Sequence, residues 1–466
     1  MSAYKEGEQG MDVAQRAITE ESISARVERL PLSRWHVRMM AIAGIAHFSD
    51  AFDALTIAFV LPILVGLWKI SPTEIGFLIS AGYVGQMIGA IGFGWAAERI
   101  GRRGALRLTV MVISLFSLAC AFSWGYLSFF IFRSIQGLGL GGEVPVGATY
   151  MNEISTARFR GRIVTFLQST FALGIVLTSL VSIVIVPNLG WQAMFFIGAL
   201  PALLAIWLRR LMPESPRWLA GQGRLAEAGE SLDRIEAEIT KNGGVPLPPL
   251  PSTFPSIVRE RATIADLFKG GYLGRTLMAW SLMLCTSIVG YGLLTWMPTI
   301  YRTVLKLPLD QTLRFALVGS VASFLGTLSG AFLVDLIGRR ASFMLGFFGS
   351  AIALAILSQV ALRVEPIVVV ALAAIGLYFI SLLLSGLYLY VPEIYPTRMR
   401  ALGVGVASAW LRIGAIVGPS LVGWILGASN LGGVFLMFAI AAAIGGFSVL
   451  TFAIETRGRV LEELAP

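Results

Sequence analysis

Five ionisable residues sit where the chain around them is apolar: Asp50 and Asp53 in one stretch, Arg133 and Glu143 in another, and Arg412 in a third. Within a segment that crosses lipid, such a group costs at least a few kcal/mol unless it is paired or hydrated. Each is therefore a candidate for binding or moving charge. At 1.5 Å of rise per helical residue, Asp53 lies about 21 Å into its stretch and Arg133 roughly 10 Å in from the opposite face. The two share a depth and are close enough in height to pair. Asp50 is one turn from Asp53 on nearly the same face. Glu143 comes about 25 Å along its own helix, near the far end. Arg412 falls ~15 Å in, at the middle of a hydrocarbon core about 30 Å thick. A guanidinium there can hold a carboxylate through two parallel hydrogen bonds. Its counter-charge is either a bound anion or an aspartate of the first stretch.

Tyr378, Trp296, Tyr291 and Gln168 are further candidates for the wall of a binding site. Aromatic walls beside one arginine suit a flat aromatic acid, although aromatic residues in such helices also serve as packing and interface anchors. Glu143 suits a gate or a second proton site, or equally an ion pair with basic loops. His47 is either satisfied within the bundle or part of a proton relay. The glycines at 137, 139, 141 and 142 match a dinucleotide-binding pattern by letters alone. No strand precedes them, and small residues at this spacing let membrane helices approach closely. Cys120 and Cys285 both lie in apolar runs, so neither a disulfide framework nor a zinc site is expected. With no histidine-rich centre, Ser/His/Asp set or phosphate loop, the sequence points to no enzyme, no cofactor and no metal.

The elements that must carry these residues are visible in the composition. Of 466 residues, 56% are hydrophobic and only 14% charged, where a soluble protein carries about 25%; the mean hydropathy is +0.78. Apolar stretches of spanning length recur at 39–66, 75–97, 105–123, 126–149, 163–186, 191–211, 275–298, 312–335, 342–362, 367–391, 401–425 and 430–454. They are numbered here spans 1 to 12. The expected fold is an all-α membrane protein of twelve transmembrane helices in two pseudo-symmetric six-helix halves. Its parts are an N-terminal tail (1–38), a first bundle (39–211), a polar linker with short helices (212–274), a second bundle (275–454) and a C-terminal tail (455–466). Of 36 lysines and arginines, 29 fall in the tails, the linker, the loops on their side and the span ends next to them, five at the other side and two deep within spans. By the positive-inside rule both termini are cytoplasmic. The net charge of +9 is then mostly topology and anionic lipid contact, not a nucleic-acid footprint. The first 38 residues are polar and do not read as a secretory signal peptide.

The halves repeat. ERIGRR at 98–103 returns as DLIGRR at 335–340, and EISTARFR at 153–160 as EIYPTRMR at 393–400, each in the equivalent loop of its half. Two related halves imply a pseudo-two-fold axis along the membrane normal and a cavity between them, the architecture of alternating access.

These motifs, with RSIQGLGLGGE at 133–143, PESPRWL at 213–219, PEIYPTRMRALG at 392–403 and ETRG at 455–458, carry a family likeness. From about 35 to 456 the chain resembles the major facilitator superfamily, and within it the sugar-porter-like branch that includes metabolite:proton symporters. Span 7 reads SIVGYGLLTWMPTIY in place of the glutamine- and asparagine-rich segment with which true sugar porters bind sugar. The aspartate pair in SDAFDALTIAFVLP of span 1 is similar to the signature of aromatic-acid:proton symporters, and the arginine of WLRIGAIVGP in span 11 resembles organic-anion carriers. The resemblance implies proton-coupled symport of a small organic anion, such as a benzoate- or nicotinate-like acid, by a monomer in the inner membrane of a bacterium. A sugar or neutral-metabolite carrier is the alternative, with drug efflux or a non-transporting sensor behind it. It also implies that Asp53 and Arg133 form a proton-coupling pair. Asp53 would act as a carboxylate that moves between a charged neighbour and a dry surrounding, unless the pair is static. Glu98, Arg99, Arg102, Arg103, Glu153, Asp335, Arg339, Arg340, Glu393 and Arg400 would form inter-helix locks on the cytoplasmic rim, holding an outward-open state and breaking on inward opening.

Overall fold

The computed structural model describes residues 18–201, 212–243, 247–250, 263–269, 271–428 and 430–457. Among these, ten helices are long and apolar enough to cross a membrane. Span 4 is a further long helix, Tyr126–Ile154, whose charges and glycines hold down its hydropathy. Span 6 begins at Gln192–Gly198, and the rest of it, 202–211, lies outside the described residues. The protein is all-helical and inserted many times in the membrane.

Local chemistry sets the helix ends. Span 2 (Pro72–Ile100) starts on a capping box, with Ser71 and Glu74 bonding each other's backbone N–H, and has proline at its first position. Both devices satisfy or remove the free N–H groups of a first turn. Spans 2 and 3 turn on Gly101, and spans 8 and 9 turn on Gly338, both at φ +90°, a conformation that an L side chain resists. The hinge glycine is thus repeated along with the motif that contains it.

Span 1 (Arg34–Trp68) begins five residues ahead of its apolar stretch. Just before it, Glu20–Glu28 forms a helix capped by Thr19 that buries Ile23 and Val27. Its partner is the linker helix Leu225–Gly243, whose Leu232, Ile235 and Ile239 are buried in the same cluster. Arg26 bonds Asp233 and Glu236, Arg29 bonds Glu236, and Arg38 bonds Glu238. The N-terminal segment read as a polar tail is therefore in part a docked helix; it is amphipathic, and its apolar face is short. Span 10 crosses as Pro366–Glu393, with a local irregularity at Leu383, whose backbone (φ −71°, ψ −29°) stays helical.

Helices within the first half pack through glycine. A Cβ built on Gly89 would collide with the backbone carbonyl of Leu138, and one on Gly141 with that of Gln86; one on Gly139 would sit 2.9 Å from the Thr109 carbonyl. Gly139 and Gly141 are letters of the dinucleotide-like pattern, and they serve the close approach of spans 2, 3 and 4.

The two halves meet at one end and stand apart at the other. At the end away from the arginine-rich loops, a Cβ on Gly76 of span 2 would lie 2.9 Å from the Pro419 carbonyl, and one on Gly423 of span 11 would lie 2.5 Å from the Pro72 carbonyl. Ser80 bonds the Ile416 carbonyl and Ser420 in the same seam. Eighteen residues further, about five turns and so on the same helix faces, a Cβ built on Gly94 or Gly405 would meet no neighbouring helix within 4 Å among the described residues. The cavity opens toward the basic end.

Candidate functional site

Span 1 carries His47, Asp50 and Asp53 on successive turns of its buried face. Asp53 is fully buried, and its Oδ1 accepts from Ser117 Oγ of span 3 and Gln136 Nε2 of span 4, each at 3.1 Å. A Cβ on Gly198 would collide with this same oxygen, so span 6 must be bare there. Arg133 donates to Gln136 Oε1 at 2.6 Å and to the Ala54 carbonyl at 3.1 Å. Asp53 and Arg133 thus belong to one cluster, but Gln136 stands between them as a relay and no direct ion pair joins them among the described residues. The amide donates to the acid with its nitrogen and accepts from the base with its oxygen. Asp53 Oδ2 is buried and meets no donor.

One turn away, His47, Asp50 and Glu143 converge, with one ligand atom from each lying within 4.8 Å of the others and all three residues buried. His47 Nδ1 is 3.7 Å from Glu143 Oε2, and the imidazole lies 5.3 Å from the Phe171 ring. Among the described residues these three are the set placed closely enough to share a cation. Asp50 is within electrostatic reach of Glu143, Asp53, Arg412 and Arg133.

Arg412 comes from the other half. Its guanidinium makes two long contacts, 3.4 Å to Gln86 Oε1 and 3.5 Å to the Gly141 carbonyl, both in the first half. Both acceptors are neutral, and no carboxylate lies within ion-pair distance among the described residues. Tyr291 and Tyr388 are within its electrostatic reach, and the Tyr291 ring packs on Tyr83 of span 2 with centroids 5.3 Å apart. Tyr378, placed beside the arginine by depth counting, instead donates its hydroxyl to Ser329 of span 8. Trp296 is fully buried and donates to the Pro419 carbonyl at 3.2 Å, so it ties span 7 to span 11. The side chain of Gln168 lies outside the described residues.

At the basic end eight of the ten rim residues form two copies of one staple, each within its own half. Arg102 holds Glu153 bidentately and reaches Glu98, while the backbone N–H groups of Arg102 and Arg103 donate to Glu214. In the second half Arg339 holds Glu393 and reaches Asp335, while the N–H groups of Arg339 and Arg340 donate to Glu455. Burial pushes the Glu455 carboxyl up, but four backbone N–H donors outweigh it and leave it below its ordinary range. Arg99 stacks on Trp95 at 3.9 Å, and Arg400 is half-buried with an unpartnered Nε. These pairs are formed while the halves stand apart at this end. They join helices of the same half and so brace each bundle.

Known proteins match this arrangement. The family model described as "Sugar (and other) transporter" matches residues 26–466. The chain belongs to that family of the major facilitator superfamily. It is a membrane transporter and not an enzyme. Within the family it is 33% identical to the niacin transporter NiaP of Acinetobacter baylyi, over 94% of this chain and 99% of that one. It is 29% identical to the putative niacin/nicotinamide transporter NiaP of Bacillus subtilis, over 91% and 98%. The inward-open xylose transporter XylE of E. coli shares the fold with a TM-score of 0.70 at 19% identity, covering 92% of this chain and 99% of that one.

The sequence reading passed over Gln136, Ser117, Tyr388 and Gln86. Gln136 is three residues from Arg133 and so shares its helix face, which is a usable signal; the other three carry none of comparable strength.

Proposed function

We propose that this transporter carries a small organic anion, an aromatic carboxylate of benzoate or nicotinate size, together with protons by alternating access. The observation that carries the reading is Arg412, a half-buried guanidinium at the junction of the halves that meets only neutral acceptors at long range. A half-buried cation left so weakly engaged favours an incoming anion, and a carboxylate matches the guanidinium fork. The niacin transport named for two relatives supports the same substrate class. The basic end is assigned to the cytoplasm of a bacterium, so the cavity faces inward. Asp53 is assigned the coupling proton: Oδ1 is held by Ser117 and Gln136, and Oδ2 remains open to protonation. Gln136 transmits the state of Asp53 to Arg133, because its amide bonds to both.

The test is uptake of labelled aromatic acids into proteoliposomes under an imposed pH gradient, with accumulation collapsing when the gradient is removed. Equal uptake with and without a gradient defeats the coupling assignment. Saturable uptake of an uncharged sugar, insensitive to Arg412→Ala, defeats the anion assignment.

A further inference from the structure

Spans 1 and 4 together build a second cluster that the transport reading leaves without a task. His47 and Asp50 stand three residues apart and so share one face of span 1, and Glu143 meets them from span 4. One ligand atom from each lies within 4.8 Å of the others, and the three residues are 6%, 6% and 3% exposed. Asp50 Oδ1 and Glu143 Oε2 are buried and meet no hydrogen-bond donor. Buried carboxylate oxygens ordinarily find partners, and leaving two of them dry is costly. His47 Nδ1 stands 3.7 Å from Glu143 Oε2. That is too long for a hydrogen bond, but close to the ~3.4 Å edge of a tetrahedron of ligands about 2.1 Å from a metal ion.

We infer that His47, Asp50 and Glu143 form a site for a divalent metal ion of the zinc type, and that its occupancy strengthens anion binding at Arg412. The donor set chooses the ion. One imidazole nitrogen with two carboxylate oxygens suits zinc and its neighbours, whereas calcium and magnesium call for oxygen ligands. Two carboxylates and a divalent ion sum to no net charge, while a monovalent ion would leave a negative charge buried. A proton has no use for three converging ligands. Two ligands three residues apart on one helix, completed by a carboxylate from a facing helix, is also how helical bundles hold metals in general. Arg412 contacts the Gly141 carbonyl, two residues before Glu143, and Asp50 is within its electrostatic reach. Without a metal, the acids oppose an incoming anion at the arginine; a bound metal cancels that opposition. By linkage, the anion must tighten the metal by the same factor. The coupling rests on the organic-anion reading, and the metal site does not.

The test is equilibrium dialysis of the full-length protein in nanodiscs against zinc alone, followed by metal analysis. One ion per chain is expected. Affinity should fall at least roughly a hundredfold in His47→Gln, Asp50→Asn and Glu143→Gln, since a ligand matters more than the outer partners whose loss costs about 10- to 100-fold. Cobalt on the unaltered protein reports the same site without any variant having to fold. It should show the visible absorption of a four-coordinate ion with nitrogen and oxygen ligands, displaced by zinc and retained in His36→Gln. Benzoate should bind roughly tenfold more tightly with zinc present than without. No zinc on the unaltered protein, or equal retention in all three variants, overturns the metal site. Zinc that binds while benzoate affinity stays unchanged overturns the coupling. Failure of benzoate to bind under either condition defeats the anion reading, and the dialysis then still decides the metal site.

Discussion

The two halves share a frame and differ inside it. Along spans 4 and 10 the repeat offset is 240 residues, which sets Glu153 against Glu393 and Tyr150 against Tyr390. Both pairs do the same work. Each glutamate accepts from the arginine after its hinge glycine, and each tyrosine bonds the carbonyl of a segment leaving its bundle, Pro213 in one case and Ile454 in the other. Deeper in, the same offset sets Arg133 against Ala373, Gln136 against Gly376 and Glu143 against Leu383. Where the first half buries charge, the second buries small or apolar groups and serine pairs such as Ser323 with Ser381. Symmetry is kept where it braces the bundle and is lost where the first half buries charge. The residues that depart from the repeat are therefore the ones to test for transport.

The largest effects are expected at the asymmetric interior. Arg412→Ala should weaken binding of an aromatic acid by roughly a hundredfold, the scale of losing one partner of a desolvated charge pair; isothermal titration measures it. Asp53→Asn should abolish gradient-driven accumulation while counterflow exchange continues. If it still accumulates substrate, the contrast between the halves is not about protons.

Next come the twin staples. Arg102→Ala and Arg339→Ala should each cost about 1–3 kcal/mol, less than a fully buried pair because the acids retain some solvent. Thermal unfolding in detergent should show two similar shifts. A loss confined to one half would mean that the frame is not equivalent after all.

A smaller effect is expected at the seam. Gly423→Ala puts a methyl group 2.5 Å from the Pro72 carbonyl, and backbone cannot easily yield. The variant should favour the opposite-facing state, seen as faster labelling of a cysteine placed in the cavity by a reagent added at the end away from the arginine-rich loops. Unchanged labelling would move the closure elsewhere.

The smallest effect is a pH dependence. Glu455 titrates below its ordinary value in the folded protein, so its contribution is complete above about pH 4.3. It fades as pH falls through the folded value. Glu455→Gln should lower the melting temperature slightly at pH 7, and the difference should vanish on acidification. A difference that persists in acid would assign the effect to packing.

Much of this was legible in the residues. Hydropathy located the membrane helices, since lipid leaves the chain few other solutions, and the repeated GRR and glutamate motifs exposed the two halves. Counting depth along helices brought Asp53 and Arg133 into one cluster and put Arg412 at mid-membrane. The same counting failed for Tyr378 and Trp296, because depth says nothing of which way a side chain faces around the helix. Gln136 was missed because charge was the filter, and an amide that bridges two charges carries none. The docked helix at 20–28 was hidden by its short apolar face, which needs the linker helix to complete it.

That docking has a practical consequence. Among the described residues, the segment after span 6 is fastened to the first bundle and the helix before it, through Trp218 and Gln222 to the Glu98 carbonyl and Arg217 to Glu28. The stretch before span 7 is fastened to the second, through the Leu267 carbonyl to Thr276. The described parts of the connection are two passengers on separate carriages. A fluorophore at Gln222 and another at Arg457 would ride different carriages, and the distance between them would read out the rocking of the transporter directly, without touching the cavity.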